Sequence, residues 1–507
     1  MEYNRSMSPK PLPLPRLLKG EKIIYIKNFD ERTPKQTVSS LKALESLAKA
    51  KRYADIGKYG PVVAAESLKD HSNEREFTKY NAIFGRDSLR VAVDLIKEYP
   101  KLAKATLIRL AELQGLEFNE WREEEVGKII HEYRDPVVDP IARELIEQRG
   151  WDWPYYGSID STLEYLKTFN LYCKLYGYSI FKQIYVGRDK KKHEMSFAYD
   201  MAIYWTLNKL KVSSNDLIEF KSLNPNGIEN QAWKDSWDSY FHHNGLIANH
   251  KYGIASIEVQ AAGYDALVGA INIYDKYFKD LKKVLELSQK VQKIKENIFN
   301  LFWTDISGGY FVLGTDRDKG QKPRQLRIRT SNMGHLLNSE IFSINNDFAQ
   351  DRVHKIIKQL FSKELLSFSG IRTLASDEIR FRPGAYHNGS VWIWDNYLIA
   401  QGLEKQGYYR LAYFIEKIIL DDVNTVKRLP EYFRGDLTKT HLLNSRIVEV
   451  EDKINNKINR LEQPPQDIQA WTVASILAIK SEKKPPLKIE DSDKYRFEED
   501  ILKSIWF

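Results

Sequence analysis

Acidic residues stand beside tryptophan in several short segments of this 507-residue chain. Asp235 follows Trp233 in NQAWKDSWD, and Asp395 follows Trp394 in YHNGSVWIWDN. An indole beside a carboxyl group removes water from it and raises its pKa. Cleavage of a glycosidic bond needs one protonated and one ionised carboxyl group, so this composition is typical of a sugar-cleaving site. Similar clusters occur at 84–88 (FGRDS), 121–134 (WREEEVGKIIHEYR), 155–162 (YYGSIDST), 257–260 (IEVQ), 429–435 (LPEYFRG) and 466–471 (QDIQAW).

Other common catalytic motifs are missing from the sequence. It contains no HExxH, Walker A, GxGxxG or GxSxG pattern, which argues against zinc proteases, nucleotide enzymes and serine hydrolases. The one cysteine, Cys173, excludes an intramolecular disulfide and a cysteine-rich metal site. His242 and His243 lack a ligand spacing, so we expect no metal and no cofactor.

Charge and hydropathy favour a cytoplasmic protein that binds neither nucleic acid nor membrane. The net charge is +8, but Lys and Arg are interspersed with Asp and Glu, and the densest basic run, 188–192, has the composition of a solvated loop. The N-terminus lacks the apolar core of a signal peptide, and no run of about 18 apolar residues occurs. A single cysteine also suits a reducing compartment.

Helical patterns dominate from Pro34 onward, and they are of two kinds. Some are amphipathic, such as the segment that Pro100 opens and that we expect Gly115 to end, and the segment after Thr33-Pro34. Others, at 257–274, 390–403 and 468–479, are apolar on nearly every side, which predicts helices buried on every side. Such a mixture predicts an all-α fold with two concentric layers of helices.

The expected organisation is one large domain with small additions. Residues 1–33 form an N-terminal arm, residues 34–485 the catalytic domain, and residues 486–507 a C-terminal tail. The segment 303–313 (WTDISGGYFVL) predicts a β-hairpin around Gly308-Gly309. Residues 436–465 are polar and are expected to be an irregular insertion between core helices.

The ordered motifs resemble the amylo-α-1,6-glucosidase-like, or glycogen-debranching-like, glycoside hydrolases. FGRDSL, WREEEVGKIIHEYR, YYGSIDST, NQAWKDSWD, IEVQ, SNMGHLL, GIRTLASD, YHNGSVWIWDN, LPEYFRG and QAW follow in order over about 55–480. Glucoamylases, trehalases, alkaline invertases and processing α-glucosidases are more distant relatives. The resemblance implies an (α/α)6 toroid of six helical hairpins and hydrolysis with inversion. It also implies that an N-terminal β-sandwich domain found in many relatives is missing here.

The resemblance implies two catalytic carboxyl groups. Asp235 in WKDS takes the place of the general acid, with Asp238 as its competitor one helical turn away. Glu431 in LPEYFRG takes the place of the base that activates water. From residue type alone, Asp235 is equally a surface N-cap and Glu431 an ordinary helix start. Inverting enzymes hold the two groups about 6.5–9.5 Å apart.

Further residues are candidates for binding the sugar. Arg86 and Asp87 resemble the glucoamylase Arg-Asp pair that grips sugar hydroxyls, and their alternative is a structural salt bridge. Tryptophans can be stacking platforms or core, and we expect about half of them to be core. The candidate substrate-binding residues are Arg86, Asp87, Trp233, Trp237, Gln260, His387, Asn388, Trp392 and Asp395, with Trp394, Asp160 and Glu258 behind them. Structural or rim roles are favoured for Glu124, Glu125, His131 and Glu132.

The sequence therefore predicts an inverting, exo-acting α-glucosidase whose partner is a carbohydrate substrate. One alternative is hydrolysis of a small glycoside, such as glucosylglycerate, mannosylglycerate or trehalose, with 436–465 capping the pocket against polymers. Another is a carbohydrate-binding protein without activity, which the presence of both carboxylates argues against. A nucleic-acid-binding solenoid would need a continuous basic stripe.

Overall fold

Helices are the main regular structure of the protein in a computed structural model. The structure describes residues 12–28, 62–63, 65, 69–71, 74–76, 80, 82–137, 139–343, 347–436, 438, 441–453, 457–481 and 493–505. The α-helices among them are α1 (Gly85–Asp94), α2 (Pro100–Glu112), α3 (Pro140–Arg149), α4 (Ser161–Tyr176), α5 (Met195–Val212), α6 (Ile257–Ile273), α7 (Leu281–Phe302), α8 (Asn332–His335), α9 (Asp347–Leu360), α10 (Ile393–Lys405), α11 (Tyr409–Val426), α12 (Ala470–Ser481) and α13 (Asp493–Ser504). The helix predicted after Thr33-Pro34 lies outside the described residues.

Short strands lie between the helices. They are β1 (Glu21–Asn28), β2 (Lys69–His71), β3 (Glu74–Glu76), β4 (Ile83–Phe84), β5 (Glu132–Tyr133), β6 (Ile184–Val186), β7 (Lys192–Glu194), β8 (Ala255–Ser256), β9 (Trp303–Thr304), β10 (Tyr310–Phe311), β11 (Gly314–Arg317), β12 (Pro323–Leu326), β13 (Leu366–Ser367), β14 (Gly370–Ile371), β15 (Val391–Trp392), β16 (Tyr432–Phe433), β17 (Arg446–Asp452) and β18 (Lys457–Glu462). The helix-rich fold with small strand insertions is thus confirmed.

One set of helices forms a closed cycle of contacts. Helix α1 packs on α4, α4 on α6, α6 on α8, α8 on α10, α10 on α12, and α12 again on α1. Helices α2, α5, α7, α9 and α11 pack on α1, α4, α6, α8 and α10, respectively. The cycle therefore surrounds a central axis, and its members pack against neighbours on more than one side.

The two helix types found in the sequence occupy these two positions. Helix α12 belongs to the cycle, and nine of its side chains, from Ala470 to Ile479, are buried. Helix α7 packs outside the cycle and buries Leu287, Ile294, Asn297, Ile298 and Phe302 along one stripe. A helix buried on all sides must be apolar all round, whereas an outer helix needs only one apolar face.

Short strands precede several helices of the cycle at their amino-terminal ends. Strand β4 runs directly into α1, β8 into α6, and β15 into α10. Each pairs with another short strand: β4 with β5, β8 with β11, and β15 with β16. These pairs fix the loops at one end of the helical cycle, and the polar motifs of the sequence lie in those loops.

The insertion predicted at 436–465 is more regular than expected. Strands β17 and β18 form an antiparallel hairpin, and β1 adds to β17 in a three-stranded sheet of order β1-β17-β18. Strand pairing satisfies the backbone of this polar segment, so the expectation of an irregular insertion was wrong. The predicted N-terminal arm is held by two arginines from later in the chain. Arg446 donates to the main-chain oxygens of Leu12 and Pro13, and Arg382 donates to that of Arg16.

Two local expectations had different outcomes. The hairpin at 303–313 is confirmed, because β9 pairs antiparallel with β10. Gly115 does not end α2, because the helix stops at Glu112 and Leu113 is its C-cap. The Gly115 N–H instead donates to the oxygen of Lys128, 2.9 Å away. In the described part of the chain, no helix is long and apolar enough to cross a bilayer.

A buried ion-pair network joins the hairpin to the segment that carries Glu431. Glu462 is 1% exposed, and its Oε2 accepts from Arg446 Nε at 2.7 Å and from Arg434 Nη1 at 3.4 Å. We expect Glu462→Gln to lower the free energy of unfolding by about 3–5 kcal/mol, because it leaves buried guanidinium charge uncompensated. Chemical denaturation measures this loss.

The matched control is Glu449→Gln in the same sheet. Glu449 pairs with Arg460, whose side chain is 48% exposed, so the loss should be about 0–1 kcal/mol. Equal losses in the two variants would show that the network at Glu462 does not anchor the hairpin.

Candidate active site

Arg86 brings two acidic side chains together at the start of α1. Its Nε donates to Asp160 Oδ2 at 2.7 Å, and its Nη1 lies 3.5 Å from Asp235 Oδ2. Asp160 is the N-cap residue of α4, and Asp235 comes from the loop between α5 and α6. The guanidinium is buried, so its ion pairs are little screened by solvent. The structure thus places Arg86, Asp160 and Asp235 in one cluster.

The Asp235 carboxyl group combines burial with access. Burial raises its pKa to about 6, although the positive charge of Arg86 opposes that rise and the nearby Asp160 adds to it. The side chain is 27% exposed, so an incoming molecule can reach it. Asp238, the alternative acid, is turned toward Arg382, whose Nη1 lies 3.8 Å from Asp238 Oδ2. Asp235 thus has the raised pKa of a carboxyl group that can donate a proton near neutral pH, whereas the Asp238 carboxylate faces a cation.

Asp87 lies beside Arg86 on α1 and faces the start of α12. Its Oδ1 accepts from Gln469 Nε2 at 3.0 Å, just before α12 begins. Burial raises the pKa of Asp87 to about 7, even though Arg86 and Gln469 stabilise its charge. The positive charge of Arg86 is therefore shared among the neighbouring carboxyl groups of Asp87, Asp160 and Asp235.

Glu431 is held by hydrogen bonds to its side chain. Tyr386 Oη donates to its Oε1, and Gln466 Nε2 donates to the same oxygen at 2.9 Å. The Gln466 N–H donates to Oε2 at 3.3 Å. The side chain is buried, and strand β16 begins at the next residue. Donors of this kind stabilise an ionised carboxylate and fix its orientation.

Residues 386 and 387 connect the Glu431 carboxylate to the chain next to Asp235. Tyr386 contacts Glu431, and His387 Nδ1 accepts from the N–H of Ser236, 3.3 Å away. Nδ1 accepts in this contact because a backbone N–H only donates, and it also lies 2.9 Å from Ser236 Oγ. Burial lowers the pKa of His387 well below its usual range, which keeps the ring neutral. One dipeptide thus couples the positions of the two candidate catalytic groups.

Aromatic rings surround Trp233. Its ring meets those of Trp394, His387 and Trp392 edge to face, with centroids 5.1, 5.3 and 5.9 Å apart. Trp394 stacks on Trp471 at 5.1 Å. The indole N–H groups of Trp233, Trp394 and Trp471 are buried and have no hydrogen-bond partner among the described residues. Such donors suit a ligand that brings its own oxygen acceptors.

Some predicted binding residues are occupied with structural contacts. Gln260 bonds both the N–H and the oxygen of Ile218, and Asn388 donates to the Asp238 oxygen. Trp392 is 1% exposed, and its Nε1 donates to the Tyr386 oxygen at 2.8 Å. These contacts hold the backbone of the site, and Asn388 Oδ1 is buried without a partner among the described residues, so substrate binding by these three residues stays a prediction.

Other predicted residues lie at the edges of the site. Asp395 is buried and contacts His335 Nε2 through Oδ1 at 2.5 Å, which makes it a support for His335. Trp237 is half-buried, with the Arg380 guanidinium 5.7 Å from its ring. Glu124 pairs with Arg122 and Arg188, as its expected structural role requires. In the ranges that the structure describes, no group of His, Cys, Asp and Glu could hold a metal ion.

Sequence reasoning missed Tyr386, Gln466, Gln469 and Trp471 as site residues. Tyr386 directly precedes His387 in YHNGS, and the other three belong to QDIQAW. Both segments stand out by composition. Their signal was incomplete because the atoms that these side chains contact, on Glu431 and Asp87, are distant in sequence.

Comparisons with known proteins bear on the family and the fold of the chain. The family model described as amylo-alpha-1,6-glucosidase matches residues 104–478. A similar solved structure is the GH63 mannosylglycerate hydrolase from Thermus thermophilus in complex with Tris and D-glycerate. It is 13% identical, covers 87% of this chain and 98% of that chain, and has a TM-score of 0.51. An uncharacterised conserved protein from the same organism is 11% identical over 88% of this chain and 99% of that chain, with a TM-score of 0.45. A comparison with proteins of curated function finds no match.

The charge balance at Arg86 predicts how Asp235 titrates. In the wild type, carbon-13 NMR of the Asp235 carboxyl group should give a pKa near 6. The variant Arg86→Met should raise this pKa further, because the guanidinium stabilises the ionised form. The signal that is absent from the spectrum of the Asp235→Asn variant is assigned to the Asp235 carboxyl group.

The control for this titration is Arg90→Met, one turn further along α1. Arg90 pairs with Asp94, so its loss should leave the Asp235 titration unchanged. A wild-type pKa near the ordinary value of about 3.9, or no response to Arg86→Met, would contradict the proposed electrostatics.

Proposed function

Because the chain belongs to the amylo-alpha-1,6-glucosidase family of glycoside hydrolases, we propose that it cleaves a terminal α-glucosyl unit from an oligosaccharide or glycogen-like substrate with inversion. Two observations together support this proposal. Asp235 is accessible and has a raised pKa, and Glu431 is held by hydrogen-bond donors. In it, Asp235 is the general acid and Glu431 the general base. The cyclic helix contacts support an (α/α)6 toroid of six hairpins as the scaffold.

The proposed reaction uses the two carboxyl groups on opposite faces of the sugar ring. Asp235 protonates the glycosidic oxygen as the bond to the anomeric carbon breaks. Glu431 removes a proton from the water that attacks that carbon from the other side. After the reaction, Asp235 is ionised and Glu431 is protonated, so a proton must return to Asp235 before the next cycle. The guanidinium of Arg86 stabilises the ionised Asp235 that forms in this step.

The donors around the site support recognition of sugar hydroxyls. Arg86 Nη2 and the indole N–H groups of Trp233, Trp394 and Trp471 are buried without a partner among the residues described. Hydroxyl oxygens of a bound sugar accept from such groups, whereas leaving them unpaired costs about 1–3 kcal/mol each. In this proposal the enzyme is exo-acting and binds the terminal unit between these donors and the two carboxyl groups.

A second candidate function is hydrolysis of a small glycoside, such as glucosylglycerate. The observation that favours it is the position of the β17–β18 hairpin, which bridges from Glu462 to Ala385, next to Tyr386. A hairpin beside the pocket wall can exclude a polymer. Comparing limit dextrin with glucosylglycerate as substrates separates the two candidates.

The stereochemistry of the product tests the mechanism. On the substrate that is cleaved, proton NMR at early times should show the β-anomer from an α-glucoside, because one displacement inverts the anomeric carbon. Initial release of the α-anomer would indicate a covalent intermediate and contradict Glu431 as a base.

The roles of the two carboxyl groups predict large and specific losses. Asp235→Asn and Glu431→Gln should each lower kcat by roughly 10²–10⁴-fold, because each removes a proton-transfer group. Asp238→Asn is the matched control and should retain activity, since Asp238 faces Arg382. Circular dichroism checks that the variants fold. If Asp238→Asn rather than Asp235→Asn abolished activity, the acid would be Asp238.

Tyr386 is a positioning residue in this proposal. Tyr386→Phe should lower kcat by roughly 10–150-fold, because a hydrogen bond to a charged group contributes about 1.5–3 kcal/mol. The acidic limb of the pH profile of kcat should also move to higher pH, since the lost donor stabilises the ionised form of Glu431.

The control for this variant is Tyr176→Phe, which removes a tyrosine hydrogen bond to the Ile96 oxygen away from the site. It should change neither kcat nor the pH profile. A Tyr386→Phe variant that lost activity with an unmoved pH profile would show a merely structural role for Tyr386.

A further inference from the structure

The cycle of helices encloses a cavity of about 890 Å³. It is lined along α4 from Asp160 to Gly177 and along α6 from Glu258 to Lys276. At 1.5 Å per residue, these stretches are each about 25 Å long. The cavity therefore runs along the axis of the cycle, and we call it the bore.

The bore opens at the end that lies opposite the candidate catalytic groups. Along α4, Asp160 is buried, Lys167 is half-buried and Lys174 is exposed. Along α6, Glu258 is buried and Asn272 is exposed. Accessibility therefore rises with distance from the active-site end, as it does in a cavity with its mouth at the far end.

The inner end of the bore touches the underside of the candidate active site. Arg86, Asp160, Trp233, Trp394 and Trp471 line it, whereas Asp235 and Glu431 do not. These lining residues include the buried donors that lack a partner among the described residues, namely Arg86 Nη2 and the three indole N–H groups. The bore thus reaches the floor of the pocket but not the reacting carboxyl groups.

The middle of the bore is polar and close to charge balance. Lys167 Nζ donates to Glu164 Oε1 at 2.8 Å, and Asp265 Oδ1 accepts from Ser339 Oγ at 2.7 Å. Asn170 also lines this wall, where its Nδ2 donates to the Ala266 oxygen at 3.0 Å and its Oδ1 accepts from Tyr199 Oη at 2.7 Å. Burying such groups in a dry space is costly, so a cavity with this lining holds water or a hydroxylated ligand.

We propose that the part of the bore from Lys167 to Asn272, beyond the inner end that it shares with the candidate active site, is a second binding site for a small neutral polyhydroxy molecule such as a monosaccharide or glycerol. The whole bore, with that shared end, has a volume within the roughly 300–1,000 Å³ of small-molecule sites. Hydroxyl groups both donate and accept, which matches a wall of carboxylate, ammonium and amide groups. The pairing of Lys167 with Glu164 leaves no excess positive charge there to select an anion.

Protection of an introduced thiol from modification tests this site. Val268 lines the bore on α6 and is half-buried, ten residues beyond Glu258 and so about 15 Å from the active-site end. The variant Val268→Cys is treated with methyl methanethiosulfonate while the concentration of D-glucose, glycerol or, as an anionic comparison, glycerate is increased. Peptide mass mapping separates the introduced thiol from Cys173. At nine-tenths occupancy by the polyol, the modification rate should fall by about tenfold.

The control is Leu285→Cys on the outer helix α7, where Leu285 is 66% exposed. Its modification rate should not respond to either polyol. If Val268→Cys does not fold, Asn272→Cys places the thiol one turn nearer the far mouth of the bore. The assay needs no hydrolysis, so its result is independent of whether the proposed glycosidase activity is found.

Four results would overturn the proposal. Modification that neither polyol slows would mean a channel that holds water only. An equal slowing at Leu285→Cys would mean a bulk effect of the polyol. Protection by glycerate but not by glucose or glycerol would mean an anion site. No modification at either bore position would mean that the bore is closed to small molecules.

Discussion

One buried guanidinium facing several carboxyl groups is the constraint on which the active site depends. Arg86 contacts Asp160 and Asp235, and Asp87 lies beside it, so one positive charge cannot balance them all. Burial raises the pKa of Asp235 to about 6 and that of Asp87 to about 7. Burial, which the positive charge of Arg86 offsets only in part, is therefore what raises these two pKa values toward neutral pH. Glu431 is held by hydrogen-bond donors instead, and it is the proposed ionised partner of Asp235.

The fold creates this difference by bringing helix starts and short strands to one end of the helical cycle. Arg86 and Asp160 lie at the starts of α1 and α4, and Glu431 lies at the start of β16. Strand β16 pairs with β15, which leads into α10. The Tyr386–His387 dipeptide then links the Glu431 carboxylate to Ser236, next to Asp235. The same cycle of helices surrounds the bore along its axis, so the helices that form the scaffold also form the proposed second site.

The sequence predicted the helix-rich fold because the inner and outer helices differ in apolar pattern, as α12 and α7 show. It also predicted the residues that meet at Arg86. It did not show the direction of each side chain: Gln260 and Trp392 donate to backbone oxygens, which residue type alone does not indicate. The β1-β17-β18 sheet joins two ends of the chain through backbone pairing, which carries no local signal. Tyr386 was missed because its partner, Glu431, is distant in sequence.

A crystal structure of Glu431→Gln with bound substrate tests the central claim most directly. The variant keeps the size of the side chain while it removes the base. We expect a terminal sugar ring between the Asp235 carboxyl group and the side chain at position 431. These two side-chain groups should lie about 6.5–9.5 Å apart, with a water molecule hydrogen-bonded to the side chain at position 431. A separation of about 5–5.5 Å without that water, or a sugar bound away from Asp235, would contradict it.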